Sequence, residues 1–176
     1  MRGELPHGWS TVFLPDIAFL NMGQSPPSSS YNTGKKGLPF YQGKTEFGEL
    51  YPTPAKFCSE PTKIADPEDI LISVRAPVGP TNICRERSCI GRGLAAIRPL
   101  NEIPSRYLLF YIRSIETWLS RQGTGSTFTA ISKKDLEQLE IPLAPLNEQR
   151  RIVAKLDELG VAPEEWLLRV RGSLGP

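Results

Sequence analysis

The sequence has few of the residues that build metal and catalytic centres. Its 176 residues include one histidine and three cysteines. Cys58, Cys84 and Cys89 form no CxxC pair, and neither their spacing nor the histidine count suits a Cys/His zinc site. His7 lies near the amino terminus, where a turn is expected. We therefore expect no metal, no cofactor, and reduced, mostly buried thiols.

Long apolar runs and targeting signals are also missing. No stretch approaches the roughly 20 apolar residues that a membrane span needs, and the amino terminus lacks a secretory signal pattern. Hydrophobic residues make up 39% of the chain and charged residues 23%, which is ordinary for a soluble globular protein. We expect a soluble, cytoplasmic protein with no membrane partner.

Catalytic motifs are absent as well. An amino-methyltransferase needs an [N/D/S]-P-P-aromatic loop, whereas Ser25-Pro-Pro-Ser28 lacks the aromatic residue, and no Gly-rich cofactor loop precedes it. No acidic residue is followed two positions later by lysine, the pattern common in metal-dependent nucleases, and there is no P-loop. We expect no catalytic residue in this chain.

What the sequence does have is turn-forming residues, with 17 prolines and 15 glycines. Such a composition favours short elements in an α+β fold, here a β-rich domain with a few helices. Apolar and β-branched runs predict strands at 9–14, 38–42, 55–59, 70–74, 81–84, 89–90 and 93–97. A turn or short helix is predicted around 16–20, and Gly91-Arg-Gly93 predicts a bulge or tight turn.

Three helices are predicted towards the carboxyl terminus. Helical periodicity covers 104–122, and Ser132 is expected to cap a short helix that begins at Lys133. Asn147 is expected to cap a helix to about Leu159. Its narrow apolar stripe fits one partner helix or sheet edge rather than a core. The stripe consists of Ile152, Val153, Leu156 and Leu159.

Positive charge is concentrated in the middle of the chain. From Leu71 to Lys134 there are ten basic and three acidic residues, a net charge of +7 within a total of +2, so the remainder carries −5. A basic segment between acidic ones suggests one face for a polyanion and other faces for protein contacts. The alternative is that these arginines are scattered over a solvated surface.

Several segments together resemble the DNA specificity subunits of type I restriction-modification systems, over residues 8–159. They are the runs Asp69-Ile-Leu-Ile-Ser-Val-Arg-Ala-Pro-Val-Gly79, Cys89-Ile-Gly-Arg-Gly-Leu-Ala-Ala-Ile-Arg98, Gly125-Ser-Thr-Phe through Ile131-Ser-Lys-Lys-Asp-Leu136, Ile141-Pro-Leu, and Asn147-Glu-Gln-Arg-Arg-Ile152. The order of these segments is a specific signal, although no single one would be.

The resemblance implies a non-catalytic module that reads DNA and directs other subunits to it. Residues 1–145 would form a target-recognition domain, and 146–176 a shortened spacer helix. The implied partners are double-stranded DNA, a methyltransferase (modification) subunit and a restriction or motor subunit. One recognition domain, where the family has two, leaves open a half-subunit that pairs as a homodimer or a truncated remnant. A recognition fragment of a fused restriction-methylation enzyme is the alternative.

Candidate DNA contacts are loop residues able to bind phosphates or base edges. For Arg75 and Arg92 a structural salt bridge or a phosphate clamp is the alternative to base reading, and Ser126 and Thr127 could serve only to satisfy turn amides. The full set is Lys35, Lys36, Tyr41, Gln42, Lys44, Arg75, Arg92, Ser126, Thr127, Lys133 and Lys134.

Overall fold

The computed structural model describes residues 5–122 and 130–160, and it confirms a mixed α and β fold. The strands of this part of the chain belong to three sheets. In chain order the elements are β1 (Ser10–Phe13), α1 (Leu14–Ile17), β2 (Ala18–Met22), β3 (Tyr31–Asn32), β4 (Leu38–Tyr41), β5 (Lys56–Cys58), β6 (Ile64–Ala65), β7 (Ile70–Ser73), β8 (Thr81–Ile83), β9 (Ser88–Ile90), β10 (Leu94–Pro99), α2 (Ser105–Ser114), α3 (Glu116–Gln122), α4 (Lys133–Glu137), β11 (Glu140–Leu143) and α5 (Leu146–Leu159).

A four-stranded antiparallel sheet, in the order β2-β10-β7-β8, lies at the centre of the domain. On β7, Ile70 and Ile72 belong to the main core with the helices, whereas Leu71 belongs to a second core on the other face. On β10, Ala95 and Ile97 likewise belong to the main core, and Leu94 and Ala96 belong to the second core. A sheet covered on both faces needs continuous apolar strands instead of alternating ones, which explains the Ile-Leu-Ile run of β7.

The second core separates this sheet from a five-stranded one, in the order β3-β5-β4-β9-β6. Here β4 and β9 run parallel, with Phe40 paired to Cys89. All three cysteines are buried and free, as predicted. Burial raises the pKa of the Cys84 and Cys89 thiols to about 11, so both remain protonated at neutral pH.

One sequence prediction about local structure is wrong, and the bounds of another shift. The helix predicted over 104–122 is two helices, because the backbone leaves helical geometry at Ile115. Just before it, the Ser114 hydroxyl donates to the carbonyl of Tyr111 at 2.6 Å, a side-chain bond of the kind that bends helices. The turn or short helix predicted around 16–20 is a short helix, α1, but it ends at Ile17 and strand β2 follows directly.

The apolar stripe of α5 packs against the domain's own main core, contrary to the prediction of a partner seam. Leu156 is 6% exposed within that core, and Ile152 and Val153 are half-buried against it. The side chain of Leu159 lies outside the described residues. α5 also begins at Leu146 after Pro145, so Asn147 is not its cap.

Buried and partly buried hydrogen bonds connect α2, the end of β11 and the segment that leads into α5. The Tyr107 hydroxyl donates to the carbonyl of Pro142 at 2.6 Å and accepts from the amide of Ala144 at 3.2 Å. The Gln149 side chain donates to the carbonyl of Ala144 at 2.7 Å. Desolvation raises the pKa of Tyr107 far above its usual range, which keeps this hydroxyl protonated. We call Tyr107, Pro142, Ala144, Gln149 and Leu156 the joint.

Two ion pairs at the surface add to the joint. Arg106 lies 3.3 Å from Asp157, and Arg150 lies 3.1 Å from Glu102. Exposed pairs of this kind contribute little, about 0–1 kcal/mol each. The orientation of α5 therefore depends mainly on Leu156 and the buried hydrogen bonds. No helix in the described ranges is both long and apolar enough for a membrane span.

Candidate nucleic-acid interface

A cleft of about 600 Å³ opens where several strands end. Its lining comes from 42–45 after β4, from Ser73 and 75–77 at the end of β7, and from 92–93 between β9 and β10, with Ser25 from the β2–β3 loop. The sheet pairings bring together segments that lie up to 68 positions apart in the sequence. We refer to this feature as the cleft.

Four residues predicted to contact DNA line the cleft: Gln42, Lys44, Arg75 and Arg92. All four side chains are exposed. The charged residues of the lining are all basic, since the remainder are serine, threonine, glycine, alanine, proline and the glutamine. A concave surface with cations and neutral hydrogen-bonding groups is suited to a polyanion that also carries polar edges.

Most arginines of the basic middle segment are bound within the domain. Arg98 forms two hydrogen bonds of 2.8 Å to the buried Asp69, which raise its pKa further, and it contacts Asp66 at 2.6 Å. Arg113 donates to the carbonyl of Glu49 at 2.6 Å, and burial lowers its pKa. Arg87 lies 3.5 Å from Asp66.

The guanidinium groups of Arg75 and Arg92 are different. Within residues 5–122 and 130–160, neither forms an ion pair or a side-chain hydrogen bond. Among the described residues, Arg75 and Arg92 therefore do not serve as structural salt-bridge partners, which was one alternative role. Arg75 and Arg92 leave two positive charges in the cleft that are available for an external anion.

The Gly91-Arg92-Gly93 turn is packed tightly against the end of β4, which confirms the predicted tight turn. The amide of Gly91 donates to the carbonyl of Tyr41 at 2.8 Å, and the carbonyl of Gly93 accepts from Val74 at 2.9 Å. A methyl group on Gly93 would lie 2.3 Å from the carbonyl oxygen of Gln42, so only glycine fits there. The backbone around Arg92 is thus fixed, and its side chain projects as an exposed group.

Arg75 follows β7, where the sheet ends. The Ser73 hydroxyl donates to the carbonyl of Arg75 at 3.0 Å, and Arg75 forms a β-bridge with Ala130. Ala130, the first residue of the second described range, therefore lies beside the cleft. Two further predicted contacts, Ser126 and Thr127, lie outside the described residues.

The remaining predicted lysines are exposed but do not belong to the cleft lining. Lys35 and Lys36 lie in the β3–β4 loop, where the Asn32 side chain accepts from the amide of Lys36 at 2.9 Å. Lys133 and Lys134 begin α4, and Lys133 lies 3.5 Å from Glu137.

The predicted Ser132 cap of α4 is confirmed. Its hydroxyl accepts from the amide of Asp135 at 3.3 Å, while the Asp135 carboxylate accepts from the amide of Ser132 at 2.7 Å. These interactions, and above all the bond from the Ser132 hydroxyl, lower the pKa of Asp135. The helix is therefore set by its own sequence as well as by the core around it.

Tyr41 has to be removed from the predicted DNA contacts. It is 1% exposed in the second core, and this burial raises its pKa to about 12. The sequence suggested a loop side chain, but β4 is covered on both faces up to its last residue, so consecutive side chains are buried. Gln42 is the first exposed residue after that strand.

Three polar residues of the cleft lining were missed from the sequence, namely Ser25, Thr45 and the buried Ser73. The Ser25 hydroxyl accepts from the amide of Arg92 at 3.3 Å, which connects the β2–β3 loop to the glycine turn. The available signal was the position of Ser25 in a proline-rich loop between predicted strands. Within the described residues, no group of three His, Cys, Asp or Glu side chains is placed to hold a metal ion.

Comparison with known proteins identifies close relatives of this chain. A family model described as "Type I restriction modification DNA specificity domain" matches residues 6–163. The putative type I restriction enzyme MjaX specificity subunit of Methanocaldococcus jannaschii is 50% identical over 157 residues, covering 88% of this chain and 37% of that subunit.

Two solved structures have the same fold. The HsdS subunit from Thermoanaerobacter tengcongensis is 48% identical with a TM-score of 0.81, over 97% of this chain and 41% of that one. A chain from a structure on complex assembly and conformational transition of the type I R-M system is 50% identical with a TM-score of 0.84, over 97% and 42%. This chain therefore spans about two fifths of the length of these relatives.

Proposed function

This chain belongs to the family of type I restriction modification DNA specificity domains, and on that premise we propose that it binds double-stranded DNA sequence-specifically and directs a methyltransferase subunit and a restriction subunit to the bound site. The single observation that supports DNA binding most strongly is that the guanidinium groups of Arg75 and Arg92, which have no partner among the described residues, lie in one cleft with Lys44.

The chemistry of the cleft suits this role. Arginine and lysine that neutralise phosphates release condensed counterions, which supplies affinity regardless of sequence. Serine, threonine and glutamine side chains beside them can bind base edges, which supplies sequence preference. On this proposal the chain itself is non-catalytic, takes no cofactor, and acts in the cytoplasm, where it meets DNA and its partner subunits.

The partner subunits would bind elsewhere on the molecule. Leu156 is used within the domain, so the surface left for the methyltransferase subunit is the outward side of α5, with the half-buried Ile152 and Val153 at its margin. On this proposal, residues 1–145 recognise DNA and residues 146–176 form the spacer region. The two regions differ in role but are not separately folded, because α5 packs on the main core. Two copies pairing as a homodimer would read an inverted repeat.

The alternative, a recognition fragment of a fused restriction-methylation enzyme, is less well supported. The relatives at 48–50% identity are described as specificity subunits or as part of the type I R-M system. We therefore propose a role as a separate specificity component.

The test of this proposal combines binding with assembly. The full chain is co-expressed with the methyltransferase subunit of its system, and binding of labelled duplex DNA is measured at several salt concentrations. We expect co-purification, salt-dependent binding, and DNA methylation by the complex that requires this chain. Methylation or cleavage by the chain alone, or the absence of both DNA binding and co-purification, would contradict the proposal.

A further inference from the structure

Building on the proposed function, we propose that the cleft has two kinds of DNA contact. Gln42 and Arg92 form a base-reading pair that recognises two neighbouring base pairs in the major groove. Lys44 and Arg75 bind the phosphates that flank them. The bound site would then contain an adenine in one pair and a guanine in the next.

The backbones of Gln42 and Arg92 are in direct contact through the glycines on either side of Arg92. A methyl group on Gly91 would lie 3.3 Å from the Cα atom of Gln42, and one on Gly93 would lie 2.3 Å from its carbonyl oxygen. Two side chains that originate this close together can reach adjacent base pairs, which repeat about every 3.4 Å along the duplex.

Both positions are fixed on the protein side. The residue before Gln42, Tyr41, is buried and accepts the hydrogen bond from Gly91, while the amide of Arg92 donates to the Ser25 hydroxyl. The side chains of Gln42 and Arg92 are exposed, whereas Tyr41 and the two glycines around Arg92 are buried. Within the described residues, neither exposed side chain has a hydrogen-bond partner. Sequence reading needs this arrangement, because a donor on a rigid backbone loses less conformational freedom on binding.

The chemistry of the two side chains matches two different bases. A glutamine amide donates and accepts at once, which fits N7 and N6 of adenine, whereas an arginine fork donates twice, which fits N7 and O6 of guanine. Gln42 carries no charge, so its contribution to phosphate binding is small and its value lies in discrimination.

Lys44 and Arg75 differ from this pair in their backbone setting. Lys44 begins a short 3-10 turn, Lys44–Glu46, and a lysine ammonium is a point charge without a fixed donor pattern. Arg75 lies in the irregular segment after β7, beside Ala130, and not on the glycine turn. Both suit the less exacting geometry of phosphate contacts.

The experiment is selection of bound sequences from a randomised duplex library, using the full chain and variants in parallel. Gln42→Ala should lower the adenine preference at one base pair by about 10- to 100-fold. Arg92→Ala should do the same for guanine at the neighbouring pair. Arg92→Lys is the matched control, because it keeps the charge but removes the fork. It should weaken the guanine preference, but less than Arg92→Ala does, while the salt dependence stays unchanged.

Lys44→Ala and Arg75→Ala are expected to behave differently. Each should weaken binding to all sequences and lower the salt slope by about 0.9, with the base preferences intact. Altered preferences at non-adjacent positions, or unaltered preferences in both the Gln42 and the Arg92 variants, would overturn the base-reading pair while leaving the proposed function standing. Absence of sequence-selective binding by the unmodified chain would overturn the proposed function, and this inference with it.

Discussion

The cleft and the joint are both polar regions of one domain, but their side chains are used in opposite ways. At the joint, the Tyr107 hydroxyl both donates and accepts within the domain, and the amide nitrogen of Gln149, a residue that is 3% exposed, donates to Ala144. At the cleft, the Gln42 and Arg92 side chains are exposed and unpaired within the described ranges. Polar groups that stabilise a fold are thereby distinguished from polar groups available to a ligand.

The difference has an energetic basis. A buried donor or acceptor that loses its partner costs about 1–3 kcal/mol, because it cannot turn to water instead. An exposed side chain that is removed costs little, because water already surrounded it. Substitutions at the joint should therefore change stability, and substitutions at the exposed side chains of the cleft should change binding.

The largest expected effect is that of Leu156→Ala at the joint. Removing a leucine side chain from a packed core costs about 2–5 kcal/mol, and here the loss falls on the contact between α5 and the main core. We expect faster hydrogen exchange of the α5 amides and a lower free energy of unfolding. Val153→Ala, at a half-buried position on the same helix, is the control and should cost less. Equal exchange in both variants would show that α5 does not depend on the core for its position.

Tyr107→Phe comes next. The change leaves the carbonyl of Pro142 and the amide of Ala144 without the hydroxyl, at an expected cost of about 1–3 kcal/mol in urea unfolding. Tyr111→Phe is the comparison, since its hydroxyl bonds the carbonyl of Glu140 at an exposed site and should matter less. DNA affinity should stay the same in both, and a loss of affinity in Tyr107→Phe alone would mean that the joint and the cleft are coupled.

Gly93→Ala tests a position in the cleft where the packing of the backbone requires glycine. The added methyl group would collide with the carbonyl of Gln42, so we expect a loss of about 1–3 kcal/mol together with weaker base preference. Gly43→Ala, at another glycine of the cleft lining, is the matched control and should cost less. A methyl group at that position has no neighbour within 4 Å. Similar stability and preference in the two variants would contradict the tight packing of the glycine turn.

The smallest expected effect on stability is that of Arg75→Ala. Its exposed side chain has no partner among the described residues, so the free energy of unfolding should change by no more than about 0.5 kcal/mol. DNA affinity should nevertheless fall, with a salt slope lower by about 0.9. Marked destabilisation would show that Arg75 stabilises the fold, as the residues of the joint do.

The sequence was most informative where local chemistry decides the structure. The Ile-Leu-Ile run of β7, the Ser132 cap of α4 and the glycine turn around Arg92 were all correctly predicted. Each depends on residues that are neighbours in the chain, such as a β-branched run, a hydroxyl three positions before a carboxylate, or two glycines around one arginine.

The sequence was least informative where distant segments decide. A narrow apolar stripe on α5 indicates that something covers it, but it does not distinguish a partner from the chain's own α2. Likewise, residue type singled out Arg75 and Arg92, while their convergence with Ser25 depends on sheet pairing across the whole domain. The prediction for Tyr41 was wrong for the same reason, since the facing four-stranded sheet that helps to bury this residue could not be placed from local pattern.

The pairing of β1 with β11 has a consequence for how such a domain can be inherited. Ser10 lies opposite Leu143, so the backbone arrives at and departs from the domain through two adjacent antiparallel strands. A unit closed in this way can be exchanged between host chains by two cuts at one spot, provided that the new unit preserves the contacts of the joint with α5. If the proposed function holds, the cleft and its base preferences would be transferred together with that unit.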